Sequence, residues 1–109
     1  MRYAWTMRLK PGCAGAYVQL HRDIWPEMSA TLDRAGYRNY TIFLQDDLLV
    51  GYFECDDLDE LKQVLAADPT AARWRVSMAE LVDNRPDPRT GFLPLMTPVF
   101  HHAGAAASR

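Results

Sequence analysis

The order of hydrophobic patterns along the chain predicts an α+β domain: strand, helix, strand, strand, helix in two pieces, strand. Three observations carry that reading. Tyr3–Leu9 alternates with period two, apolar stripes of helical period follow Pro11-Gly12 and Asp57, and Tyr37–Gln45 meets Leu48–Cys55 across Asp46-Asp47, the signature of a hairpin. With a last strand at Leu93–Phe100 the plan is the ferredoxin-like split βαβ unit (βαββαβ), a four-stranded antiparallel sheet with helices on one face.

Each element has a local cause. Tyr3, Trp5, Met7 and Leu9 share one face of the first strand, and Pro11-Gly12 ends it. A helix follows from about Cys13. It must kink or restart at Pro26, because proline lacks an N–H and clashes with the preceding turn. Met28, Leu32 and Ala35 continue the stripe to Gly36, the residue type that takes a left-handed helix end at least strain. Asp57, with Glu60 three residues on, opens the next helix as a capping box, and Leu58, Leu61 and Leu65 form its buried face. Asp68-Pro69 starts another, with Trp74, Met78 and Leu81 along one side. Asn84–Gly91 reads as a loop. Pro94 and Pro98 push the last strand to an edge.

At 109 residues the chain is expected to form a single domain over 1–102, with a frayed tail at 103–109. A net charge of -2 without a Lys or Arg run argues against nucleic acid or a membrane surface as partner. Cys13 and Cys55 are too few for a disulfide scaffold and lack metal-ligand spacing. Arg2, Arg8 and Lys10 interrupt any apolar leader, so a soluble cytoplasmic protein with reduced thiols is expected. The sheet's second face carries Tyr, Phe, Leu and Val side chains that the helices of one chain cannot cover, which predicts a homodimer packed sheet to sheet.

The stretch Tyr17–Glu27 is the most informative. Tyr17 and His21 are four residues apart and so stand one above the other on a helix, with Leu20 and Ile24 completing the buried stripe. An imidazole and a phenol there suit a pocket wall better than a core. His21 followed by Ile24-Trp25-Pro26-Glu27, then Gly36, then Asn39-Tyr40, resembles the L-rhamnose mutarotase family, a likeness extending from about Tyr3 to Phe100. The resemblance implies a dimeric α+β barrel.

It also implies roles. A lone histidine on an apolar stripe is most often a core residue satisfied by hydrogen bonds. Tyr17 beside it and the resemblance make His21 the candidate catalytic residue, matching the family's proton donor. Tyr17 and Tyr40 match substrate-binding tyrosines, although by type alone either would be core. Trp74 matches the first of two tandem aromatic residues that contact the sugar. Arg75 stands where the second would be, offering five donors to hydroxyls in place of a neutral ring, so it joins the substrate-binding candidates and leaves the preferred sugar open.

Weaker candidates are Glu54, which could be an acid/base group or a solvated edge residue, and Asn39, which could meet substrate or start its strand. His101 and His102 alternate across the last strand and cannot face one metal together. No metal and no cofactor are expected.

The function implied is a sugar mutarotase, an isomerase interconverting the α and β anomers of a monosaccharide, a deoxyhexose such as L-rhamnose. Two alternatives share the fold: a dimeric α+β barrel oxidoreductase of the monooxygenase kind, and a non-catalytic small-molecule-binding module.

Overall fold

The computed structural model of the chain describes residues 1–83 and 92–105. Its elements are β1 (Arg2–Arg8), α1 (Ala14–Arg22), α2 (Pro26–Ala35), β2 (Arg38–Gln45), β3 (Leu48–Glu54), α3 (Leu58–Ala67) and α4 (Pro69–Ala79). This is an α+β fold with an antiparallel three-stranded sheet in the order β1-β3-β2. Alternation along the central strand buries Leu49, Gly51 and Phe53 toward the helices, while Val50, Tyr52 and Glu54 face the other way. Trp5 and Ile42 pair with Gly51 from either side. β2 carries an irregularity between Arg38 and Thr41, where one extra residue is taken up as in a β-bulge, and Asn39 takes φ 50, a left-handed conformation that Asn tolerates.

The helical punctuation is as the sequence predicts. Trp25 is extended, as a residue before proline must be, and Pro26 opens α2 at a position whose N–H would have no helical partner. Gly36 ends α2 at φ 97, and the N–H of Tyr37 returns to the Leu32 carbonyl at 3.2 Å. Asp57 accepts from the Glu60 N–H at 3.1 Å and Asp68 from the Ala71 N–H at 2.9 Å. α2 packs against α3 and α4. The far end of α4 is tied back to the sheet: the Lys10 N–H donates to the Leu81 carbonyl at 2.9 Å and the Asp83 N–H to the Arg8 carbonyl at 2.8 Å.

The fourth strand is not formed. Residues 92–105 have no strand structure, and their sheet contact is the Met96 N–H donating to the Ala4 carbonyl at 2.7 Å. The reason lies in the sequence. Along a strand the N–H groups facing one neighbour recur every second residue, so 94, 96 and 98 would all face β1. Two of those three are Pro94 and Pro98, which have no N–H. Beyond Met96 the segment leaves Val99 and Phe100 exposed. Of the expected tail, 103–105 are exposed and without regular structure. The predicted loop Asn84–Gly91 and residues 106–109 lie outside the described residues.

Thr31 and Asp68 lock the helix layer. The Thr31 hydroxyl is fully buried and lies 3.0 Å from the Glu27 carbonyl and 2.9 Å from Asp68 Oδ2, and Arg34 reaches Asp68 Oδ1 at 2.9 Å. The Ala71 N–H, then Thr31 and Arg34, hold the Asp68 carboxyl below the usual carboxylate range. A depressed folded pKa contributes stability above the unfolded value of about 3.9, and that stability is lost as pH falls through the folded value. Asp57 caps one exposed helix end; Asp68 caps another and joins two helices. Thermal unfolding should therefore show a larger fall in midpoint for Asp68→Ala than for Asp57→Ala, and the gap should close as pH drops below about 3.9. Equal losses at neutral pH would leave Asp68 no role beyond its cap.

Candidate active site

Between the helix-facing side of the sheet and the helices lies a cavity of about 550 Å³. Trp5, Met7, Leu49, Tyr40 and Ile42 line it from the strands, Tyr17, His21 and Met28 from α1 and α2, and Trp74, Arg75 and Met78 from α4. Its walls thus bring together the five principal candidates from the sequence: His21, Tyr17, Tyr40, Trp74 and Arg75. Ile24, expected to extend the helical stripe, lies past the end of α1 and lines the cavity all the same.

The pair at the end of α1 has a defined chemical state. One helical turn places the His21 ring on Tyr17 with centroids 4.2 Å apart. Nδ1 of His21 is 2.9 Å from the Tyr17 carbonyl oxygen, which can only accept, so Nδ1 carries a proton and Nε2 of the neutral ring keeps its lone pair. Burial lowers the His21 pKa, opposed by that backbone hydrogen bond, and the resting imidazole is neutral at pH 7. The Trp74 ring meets His21 edge-on at 5.3 Å and Trp25 supports Trp74 at 5.1 Å, fixing the imidazole plane between Tyr17 and Trp74.

Tyr17 is the anomaly. Its side chain is buried, and among the described residues its hydroxyl has no hydrogen-bond partner. A buried polar atom left unsatisfied in a cavity marks a place for something polar to bind. Burial, reinforced by the Tyr40 phenol, raises its pKa, so the phenol stays protonated and can donate. Tyr40 stacks on Tyr37 with centroids 4.7 Å apart and meets the edge of Phe53 at 6.0 Å. Burial raises its pKa too, with the Trp5 indole as a hydrogen-bond donor acting against the shift.

The weaker candidates are elsewhere. Glu54 is not on the cavity wall: it accepts from Asn39 Nδ2 at 3.0 Å and from the Tyr52 hydroxyl at 2.6 Å at the end of the central strand, and those bonds lower its pKa. His101 and His102 are exposed and also off the wall. Among the described residues no three His, Cys, Asp or Glu side chains are grouped as metal ligands would be.

Over residues 2–102 the sequence matches the family model of L-rhamnose mutarotase. The chain belongs to the L-rhamnose mutarotase family. An L-rhamnose mutarotase from Jannaschia sp. is 36% identical over 102 residues, which are 92% of this chain and 96% of that protein. The crystal structure of the L-rhamnose mutarotase from Formosa agariphila has the same fold, with TM-score 0.76 at 24% identity over 94% of this chain and 98% of that one. Tetracenomycin F2 cyclase from Streptomyces glaucescens shares the fold as well, with TM-score 0.58 at 17% identity over 96% and 98% of the two chains. Fold alone therefore does not select the chemistry, and in this mutarotase family member the cavity wall must.

The sequence does not single out Trp5 and Arg22, which also line the cavity, or Gly51, which lies against the Trp5 indole. Trp5 reads from the sequence as one of four apolar residues on one face of the first strand; its indole is buried and also lines the cavity. Gly51 gave a readable signal, because an isolated glycine inside a strand marks a close approach. Arg22 gave none beyond its place next to His21.

If the Tyr17 hydroxyl awaits a ligand, removing it should not harm the empty protein. Tyr17→Phe should unfold at the parent's thermal midpoint or above, since it deletes a buried unsatisfied group, while losing affinity for sugar in a calorimetric titration. A clear loss of stability would mean that the hydroxyl serves the fold.

Proposed function

We propose that the chain is a sugar mutarotase, an isomerase that interconverts the α and β anomers of a deoxyhexose such as L-rhamnose by acid/base opening and closing of the ring. The observation that carries this reading is the unpartnered Tyr17 hydroxyl beside a neutral His21 with a free Nε2, both on the wall of one cavity. Family membership supports it.

The reaction moves one proton between two oxygens on the same carbon. Nε2 of His21 takes the proton of the anomeric hydroxyl, the O–H pair becomes the C1=O1 double bond, and the C1–O5 pair goes to the ring oxygen, which receives the proton. His21 thus acts as the proton donor to the ring oxygen after loading itself from the anomeric hydroxyl. Rotation about C1–C2 and the reverse steps close the ring on the other face. Tyr17, protonated throughout, donates a hydrogen bond to the sugar. Tyr40 and Trp74 offer flat apolar surfaces to the C–H face, and the aliphatic part of the wall suits a 6-deoxy methyl group. Arg75 offers its donors to hydroxyls. The chemistry requires neither metal nor cofactor.

The working unit in this reading is a homodimer in the cytoplasm. The outward sheet face carries Phe43, Val50 and Tyr52, with Phe43 60% exposed, and no element of the chain covers it among the described residues. Two such faces packed together make the dimeric α+β barrel that the resemblance implies, with Leu93–Phe100 held beside β1 by the Met96 N–H as an irregular segment. No helix among the described residues is long and apolar enough to cross a membrane.

Anomer exchange of L-rhamnose followed by saturation-transfer NMR tests the chemistry. His21→Asn should slow exchange by about 10²–10⁴-fold while keeping the fold and sugar affinity. Because the resting imidazole is neutral with a lowered pKa, the parent rate should hold through neutral pH and fall on acidification with a midpoint below about 6.5. A variant exchanging at the parent rate would remove His21 from the mechanism, and a rate that rises as pH falls would invert its starting state. For assembly, sedimentation at micromolar concentration should give about twice the monomer mass; a monomer that binds no hydrophobic dye would leave the outer face without a partner.

A further inference from the structure

Strand pairing sets Trp5 directly opposite Gly51 on the helix-facing side of the sheet. A Cβ built at Gly51 would overlap the Trp5 indole at Cε2 and Cζ2 and lie 2.7 Å from its Nε1. The indole therefore lies flat across the central strand, occupying the space that any other residue at 51 would fill. It is 8% exposed and forms part of the cavity floor. Gly51 has no turn to make, since its φ is not in the left-handed region. Its lack of a side chain serves the indole alone. Packing of the helix side alone would favour a β-branched residue at 51 in a central strand. The exception occurs where the cavity passes over the sheet.

We propose that Trp5 and Gly51 act together as a positioning pair that sets the depth of the sugar pocket and holds Tyr40 in place. The indole, lying low over Gly51, leaves room above it for a ligand, and its N–H, the only donor it has, is hydrogen-bonded to the side chain of Tyr40, which lines the same cavity from β2. A methyl group at 51 forces the ring to lift by roughly an ångström or more before carbon–carbon contact is relieved. The lift has one direction, away from the sheet and into the cavity. The proposed proton transfer assigns neither residue to the reacting oxygens, so both act on binding and specificity. The proposal rests on the mutarotase reading of the site for its kinetic readout, and not for its binding readout.

The test is a double-mutant cycle of Gly51→Ala and Trp5→Phe, read by thermal midpoint, sugar affinity by calorimetry, and KM and kcat for anomer exchange. Gly51→Ala should stay folded and raise KM and the sugar Kd together by roughly 10–200-fold, the range for one misplaced methylene in an apolar pocket, with kcat much less affected. Trp5→Phe leaves a smaller ring with no N–H. It should deepen the pocket, weaken L-rhamnose binding and narrow the preference between L-rhamnose and bulkier aldoses. In the Trp5→Phe background Gly51→Ala should cost little, because the phenyl ring leaves room for the methyl. If Gly51→Ala only lowers the thermal midpoint with Kd and KM unchanged in the folded protein, the pair is structural and the proposal fails. It fails equally if the two substitutions add without coupling. A parent protein that binds sugar without exchanging anomers would instead overturn the mutarotase reading, and the coupling in Kd would still decide the positioning pair.

Discussion

The hydroxyl of Thr31, fully buried between Glu27 and Asp68, ties the first half of the chain to the second. Asp68 is also the N-cap of α4, so the bond that joins α2 to α4 is made at the point where α4 begins. Trp74 lies within two turns of that cap, and its place relative to His21 follows from it. The other joint is Pro26. By ending one helix and starting the next it lets α1 turn its last residues to the cavity while α2 packs on α3 and α4. Arg34 adds an ion pair to Asp68 but is largely exposed, and such a pair contributes little on its own. Its use is to hold the carboxylate pointed at Thr31.

Within that frame the titratable groups nearest the proposed chemistry stay neutral, and the charge on the wall comes from Arg22 and Arg75. Desolvation raises the pKa values of Tyr17 and Tyr40 and lowers that of His21, so at pH 7 two phenols keep their protons and the imidazole lacks its second one. No Asp or Glu lies on the described cavity wall. That suits a reaction whose substrate, intermediate and product all have the same charge. A fixed carboxylate would bias the proton toward one oxygen; a neutral base that gives back what it takes serves ring opening and closing alike. The hydrogen bond from Nδ1 to the Tyr17 carbonyl matters here because it fixes which nitrogen keeps its lone pair.

Much of this was legible in the chain because the signals were local. Pro26, Gly36, Asp57 and Asp68 each act within a few residues of themselves, and all four mark the boundaries that the structure has. Tyr17 and His21 were legible as a pair because helical spacing alone stacks them. What failed was non-local. Leu93–Phe100 is apolar enough for a strand, but whether a strand forms depends on which side its N–H groups face, and Pro94 and Pro98 fall on the side toward β1. Trp74 in a helical stripe with Met78 and Leu81 looks the same from sequence whether it faces a core or a cavity. The choice is made by where α1 stops short, which no single segment encodes.

The departure from the family pattern lies on the cavity wall. Arg75 replaces a neutral aromatic ring on the α4 wall, while His21, Tyr17 and Tyr40 keep the residues that the resemblance calls for. Groups that move the proton must meet two oxygens on one carbon, a geometry every aldose shares, so substituting them sacrifices the reaction for all sugars. Groups on the wall meet the parts in which sugars differ. A guanidinium there is planar like the ring it replaces but carries charge and five donors, so it favours hydroxyl-bearing edges over bare C–H faces. Binding contacts of that kind act on ground state and transition state together and shift which sugar is held more than how fast it turns over. In the proposed reaction the chain keeps the chemistry of its family at His21 while Arg75 alters which sugar the α4 side of the wall favours.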